Sequence, residues 1–190
     1  GSHRNPRGVD NARGQGGPAE RNVTARRAIL WTRPLMSDAH KAFLAERPLL
    51  HRDGDLLFVH ASANDPQDWI YVTAENRAMG SFRPVGDRLI FCGHVHVPAL
   101  YSCDMAGTVR AQKIPMGMPV PLIRSRRWLS VIGSVGQARD GVAAAGYALF
   151  DVAQNELTFR RVPYDVATTV AKLRAAGLPE SLAMRLNWGA

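Results

Sequence analysis

Cysteine is scarce in this 190-residue chain: Cys92 and Cys103 are the two present, with no zinc-type spacing between them. That excludes a disulfide-stapled secreted scaffold and fits a reducing compartment, so a cytoplasmic location is expected. Long apolar runs are missing as well. No stretch approaches the roughly eighteen residues of a membrane span, and the N-terminus is polar and arginine-rich where a signal core would be apolar. Aromatic residues make up 7% of the chain, and they do not interleave with the basic clusters Arg26-Arg27, Arg124 to Arg127 and Arg160-Arg161. A base-stacking surface would need that interleaving. Negative charge is in short supply too: 16 Asp and Glu stand against 24 Lys and Arg, a net charge of +8. Because the excess is spread along the chain, nucleic acid is not expected as the main partner; an anionic small substrate is served by the same charge.

What is present predicts one core-forming domain. Hydrophobic residues make up 46% of the sequence, enough for one sizeable core. Residues 1–22 carry hardly an apolar side chain and are expected to be a flexible segment, leaving residues 23–190 as the domain. Helices are expected from Thr24 with Pro34 as a stop, from Asp38 to Arg47 behind a Ser37 cap, around Thr73 to Ser81, and in a closing pair over 165–175 and 179–186 split by Gly177. Strands are expected at Asp55–Val59, Leu89–Cys92, 98–101 with 108–113, 128–132, and a hairpin over 143–162. A turn is expected at Arg52-Asp53-Gly54 and an irregular connection over 114–121. Six or seven short strands with helices gathered at both ends predict a layered α+β domain.

The chemistry concentrates at two strand ends. Leu89-Ile90-Phe91-Cys92 reads as a buried strand that stops at Gly93 and is followed by His94 and His96, whose i, i+2 spacing lets both imidazoles reach one spot. An H-x-H pair can equally be two half-buried structural histidines. Another strand, however, runs straight into His60, followed by the small residues Ala61 and Ser62. Beyond it, Trp69 and Tyr71 lie in a loop, where they either contribute specificity or pin the loop down. Three glycines in nine residues, Gly133 to Gly141, let the chain turn sharply or a ligand approach its backbone.

Together these blocks resemble the calcineurin-like metallophosphoesterases. Gly93-His94-Val95-His96-Val97-Pro98 resembles the G-H-x-H block, and Phe58-Val59-His60-Ala61-Ser62 the V-H-G block with Ala61 for glycine. Val131 to Gly141 is similar to the N-P-G-S-V-G-Q-P-R-D-G block of the small bacterial branch, and Val162-Pro163-Tyr164-Asp165 with the closing A-G-L-P helices fits that branch. The resemblance implies an αββα sandwich of mixed sheets and two divalent ions about 3.5–4 Å apart that generate a hydroxide and clamp a phosphate ester. It implies His60 and His94 on one ion and His96 on the other. Among the positively charged groups near the site, Arg139 is either a residue that accepts phosphate oxygens bidentately or an ordinary solvated surface arginine. Imidazole ligands favour Mn, Fe or Zn, while Cys92 is expected to be a packed strand residue. The substrate class would be a phosphorylated small molecule, a nucleotide or a phosphoprotein.

The family's D-x-H and G-D-x-x-D blocks do not occur upstream of His60. Three neutral imidazoles cannot offset the charge of two divalent ions, so the expectation is a chain lacking the first βαβ portion of the fold, truncated or degenerate. One ion or none is then possible. Gly1-Ser2-His3-Arg4 is either a degenerate G-N-H-D block, which would make His3 a catalytic candidate, or the remnant of a cleaved tag. Two functions stay open: a metal-dependent phosphoesterase, and a non-catalytic metal- or anion-binding module of the same fold.

Overall fold

A computed structural model describes residues 23–190. The segment 1–22, and with it His3, lies outside the described residues. Residues 23–49 with 165–187 form one compact unit, and Leu50–Tyr164 with Trp188–Ala190 form another.

The first unit is helical. Helix α1 (Val23–Leu35) buries no side chain among the described residues and contains Pro34, expected as a stop. In the last turn a proline removes only one hydrogen bond, and Met36 N–H closes the end on Arg33 O. Helix α2 (Asp38–Ala45) starts as expected at Ser37, whose hydroxyl accepts from His40 N–H. At the other end of the sequence, Asp165 caps α4 (Val166–Ala175) by accepting from Thr168 N–H at 2.8 Å. Leu178 N–H then reaches Leu173 O and Gly177 N–H reaches Arg174 O, a Schellman stop that requires the positive φ of Gly177. Val170 of α4 meets Ala183 and Leu186 of α5 (Glu180–Trp188) in a small apolar cluster.

The second unit holds nine strands in two sheets. Strands β1 (Leu50–Asp53), β2 (Leu56–Val59), β3 (Leu89–Cys92), β4 (Ala99–Cys103), β5 (Val109–Gln112) and β7 (Arg127–Val131) form a mixed sheet of order β1-β2-β3-β7-β4-β5. Its centre, β2, β3 and β7, is parallel, and its flanks are antiparallel. Strands β6 (Pro119–Pro121), β8 (Ala145–Asp151) and β9 (Glu156–Val162) make an antiparallel sheet of order β6-β9-β8. All four residues of β3 are buried, as a strand covered on both faces must be. Leu89 and Phe91 pack between the sheets with Leu100, Trp128, Leu157 and Phe159, while Ile90 and Cys92 face the other way, with Phe82 of α3 (Glu75–Phe82), Leu57 and Leu129. Within this unit the layers run helix, sheet, sheet.

Two strands were not expected. β1 replaces the turn at Arg52-Asp53, because an edge strand with exposed His51, Arg52 and Asp53 carries no apolar alternation; the turn falls at Gly54, with φ 59°. β6 is bracketed by prolines, which lack an N–H and can pair only from an edge position, the one β6 occupies.

Two side chains brace the unit from within. Arg127 donates from Nε to Asp87 O at 3.0 Å, from Nη1 to Phe82 O at 3.0 Å and from Nη2 to Val85 O at 2.7 Å. It thereby closes the C-terminal end of α3. Asn155, at the tip of the β8–β9 hairpin, is buried in left-handed backbone with φ 55°. Its Nδ2 donates to Leu122 O, its Oδ1 accepts from Arg88, and its backbone oxygen accepts from Leu122 N–H at 2.9 Å.

Candidate functional site

Parallel pairing puts the histidines together. Phe58 is in register with Phe91, and Gly93 N–H continues the ladder by donating to His60 O at 3.0 Å. His60 and His94 thus emerge side by side at the carboxyl edge of the sheet, where open sheets form ligand sites. His60 Nε2 and His94 Nδ1 lie 3.0 Å apart. Both histidines of the H-x-H block sit in left-handed backbone, His94 at φ 65° and His96 at φ 66°. Around His94 the turn is closed by Val95 N–H donating to Gly93 O at 2.7 Å. Such backbone costs about 1–3 kcal/mol per residue and clusters at functional sites.

His96 is held from the glycine loop. Its Nδ1 lies 2.7 Å from Gln137 O. A carbonyl can only accept, so Nδ1 carries the hydrogen and Nε2 presents a lone pair. Gln137 N–H in turn donates to Ser134 Oγ at 2.9 Å, and Arg139 N–H to His96 O at 3.2 Å. Gly133 (φ 95°) allows the loop to leave β7 here, since a Cβ at that position would lie 3.1 Å from Pro98. Burial lowers the pKa of His96, the Arg139 charge lowers it further, and the Gln137 hydrogen bond opposes both. Burial, then the His96 charge, lowers that of His60. These imidazoles are therefore neutral near pH 7.

The segment after His60 is anchored beneath α3. Ser62 and Ser81 hydroxyls meet at 2.7 Å, and Ser81 Oγ also accepts from Ala63 N–H at 3.0 Å. Farther along, Tyr71 stacks on His94 with ring centroids 4.3 Å apart, and Trp69 lies 4.5 Å from His60 and 5.3 Å from His94. These two aromatic rings wall the imidazole pair. Arg139 adjoins His96 through its backbone N–H, and its guanidinium turns to Gln137 Oε1 at 3.4 Å. Sequence reasoning missed Gln137, because it acts through its backbone carbonyl. Cys92 is buried in β3, and burial pushes its thiol up to about 12, as in a packed strand residue.

Two imidazole nitrogens on one tetrahedral ion at about 2.05 Å each would lie about 3.3 Å apart. The 3.0 Å spacing of His60 and His94 is close to that, so this pair suits one borderline-soft ion. A two-ion centre is another matter. Among the described residues no group of three or more His, Cys, Asp or Glu is placed to hold an ion. The anions that would bridge two ions are not among these side chains, so the described residues do not fit a complete centre.

The lowered imidazole values carry a pH prediction for the ion-free chain. Below about pH 6.5 the unfolded chain binds protons that His60 and His96 resist while folded, so stability rises with pH across this window. Stability is therefore expected to fall as pH drops from about 6.5 through the lowered folded values, and to level off below them. Urea unfolding at a series of pH values checks this, and a His60→Gln, His96→Gln double variant should flatten the profile.

No family model matches the sequence. An uncharacterized protein of Methanocaldococcus jannaschii is 31% identical over 166 residues, which cover 85% of this chain. The chain spans 65% of that relative's length. The crystal structure of a metallophosphoesterase from Sphaerobacter thermophilus superposes with a TM-score of 0.80 at 33% identity, covering 97% of this chain and 75% of that one. A hypothetical protein from Pyrococcus horikoshii shares the fold, with a TM-score of 0.68 at 17% identity over 96% of this chain and 71% of that one. In no described helix is there the length and apolarity to cross a membrane. With the histidine blocks at the carboxyl edge of a mixed sheet, and with this likeness over nearly the whole chain, the protein belongs to the calcineurin-like metallophosphoesterases.

Proposed function

We propose that this chain is part of a phosphoester hydrolase, with His60, His94 and His96 as its imidazole metal ligands and Arg139 as a phosphate-binding residue. One observation carries this reading: His60 and His94 meet 3.0 Å apart at adjacent strand ends, with His96 two residues farther on and both histidines of the H-x-H block in left-handed backbone. The substrate is a phosphate monoester or diester of a small molecule or nucleotide, or a phosphorylated protein side chain. Neutral imidazoles favour Mn, Fe or Zn over Mg. Hydrolysis additionally requires carboxylate ligands from beyond the described set. The buried free thiols of Cys92 and Cys103 support a reducing, cytoplasmic setting.

Calorimetric titration with Mn, paired with hydrolysis of an aryl phosphate, tests this. Saturable uptake is expected, weakened at least about tenfold in His96→Ala or His94→Ala, the order seen for disturbed metal sites. Unchanged uptake in both variants would sink the ligand assignment. A second reading, a non-catalytic metal- or anion-binding module, is favoured by the lack, among the described residues, of a third ligand around any one point. Saturable uptake with no turnover under Mn, Fe or Zn would select it.

A further inference from the structure

The loop that holds His96, residues 133–141, has little packing of its own. Three glycines leave its backbone free to turn, and Ala138 is its one buried residue. Two of its groups nevertheless meet His96 together: Gln137 O lies 2.7 Å from Nδ1, and Arg139 N–H donates to His96 O at 3.2 Å. A loop with so few side chains in the core keeps that placement only if its ends are fixed.

At the start, Ser134 O accepts from Gly146 N–H of β8 at 2.7 Å. At the far end, Gly141 N–H donates to Gly189 O at 2.8 Å, and Asp140 is paired with Arg161 of β9. Arg161 Nη2 donates to Asp140 Oδ2 and Nη1 to Ala144 O at 3.2 Å, so one planar fork ties two points of the chain to the same strand. Gly146 makes room for it, since a Cβ there would lie 3.0 Å from Nη1. Stability does not account for the pair. Its side chains are 14% and 17% exposed, and at that depth desolvation offsets much of the attraction between the charges. Asp140 Oδ1 has no partner, which a pair serving stability alone would have.

We propose that Arg161 is a positioning residue for the imidazole cluster: acting through Asp140, it holds the loop so that Gln137 O takes the Nδ1 hydrogen of His96 and Nε2 stays free of hydrogen. Asp140 lies three residues from Gln137 and directly follows Arg139, so the anchor and both contacts with His96 share one short stretch of backbone. Released from β9, the loop carbonyl leaves Nδ1, and the ring samples both tautomers. Which nitrogen carries the hydrogen is set by the bond the other makes, and a ring without that bond has no fixed orientation. This coupling stands without any ion. That Nε2 then binds one rests on the hydrolase reading.

The test reads the ring nitrogens of the metal-free, ¹⁵N-labelled chain at about pH 8, where imidazole is neutral. In the parent chain His96 should show a protonated Nδ1 and an unprotonated Nε2. An Asp140→Ala, Arg161→Met double variant removes both charges together, so neither is left buried alone. Its His96 nitrogens are expected to move toward the averaged values of an unrestrained ring, while His60, held between β2 and β3, keeps its pattern. Asp140→Ala alone should act in the same direction, because Arg161 retains Ala144 O as an acceptor and can turn its charge to water. Calorimetric uptake of Mn should weaken about tenfold in both variants, the order for a lost partner behind a ligand. The parent pattern at His96 in either folded variant would overturn the proposal. Loss of the fold in both would overturn it as well, making the pair a structural brace. Averaged nitrogens with unchanged Mn uptake would uphold the positioning and remove His96 from the ligand set.

Discussion

Replacing Arg127 with methionine is expected to destabilise the chain by about 3–5 kcal/mol, read as a lowered midpoint in urea unfolding. Methionine keeps most of the apolar stem and removes the guanidinium. Three backbone oxygens, on Phe82, Val85 and Asp87, then lose their donor together. They stand at and beyond the end of α3, where the last carbonyls of a helix have no partner within it. The guanidinium also lies over the Phe82 ring, 5.0 Å from its centroid, so the substitution loosens the helix where it meets the sheet. Arg127→Lys should recover less than half of the loss, because an ammonium cannot reach three carbonyls set around a planar fork. A cost below about 1 kcal/mol for Arg127→Met would mean that water replaces the clamp without penalty.

Asn155→Ala is expected to cost about 3 kcal/mol, from two sources that can be separated. The side chain joins three segments: it accepts from Arg88 before β3 and donates to Leu122 O after β6, while its own backbone belongs to the β8–β9 turn. Alanine leaves a buried carbonyl and a guanidinium nitrogen unpaired, and it must also adopt φ 55°, which asparagine tolerates better. Asn155→Gly removes the same hydrogen bonds without the backbone penalty, so it should be about 1 kcal/mol less damaging than alanine. Equal losses in the two variants would assign the whole effect to the side chain.

How much of this was legible depended on whether a feature is written in side-chain letters. The run Leu89-Ile90-Phe91-Cys92 could be read as a strand because both faces of β3 are covered, and the Ser37 cap because its side chain performs the capping. His60, His94 and His96 stood out because their blocks occur in order at strand ends. Features made by backbone were invisible. Gln137 holds His96 through its carbonyl, a group every residue has. Arg127 looked like one member of a basic cluster, since its three acceptors are also main-chain oxygens. Asn155 falls in the turn of the hairpin expected over 143–162, yet a turn residue gives no sign that it will be buried and contact the arginine that precedes β3. Strand β1 failed for a different reason: a polar edge strand obeys pairing and not amphipathic pattern.

The position of β7 between β3 and β4 also sets an order of events as the polypeptide is made. β4 and β5 follow β3 along the chain and pair with each other, but neither pairs with β3. Until β7 has been synthesised and slides in, β3 keeps one edge open, four apolar residues with unused hydrogen-bonding groups. A nascent chain that stalled before Arg127 would carry that adhesive edge exposed. The histidine cluster is subject to the same delay, because the carbonyl that orients His96 belongs to Gln137, just beyond β7. Insertion of the last strand of the mixed sheet and completion of the imidazole cluster are thus one late step, and non-local pairing of this kind is slow.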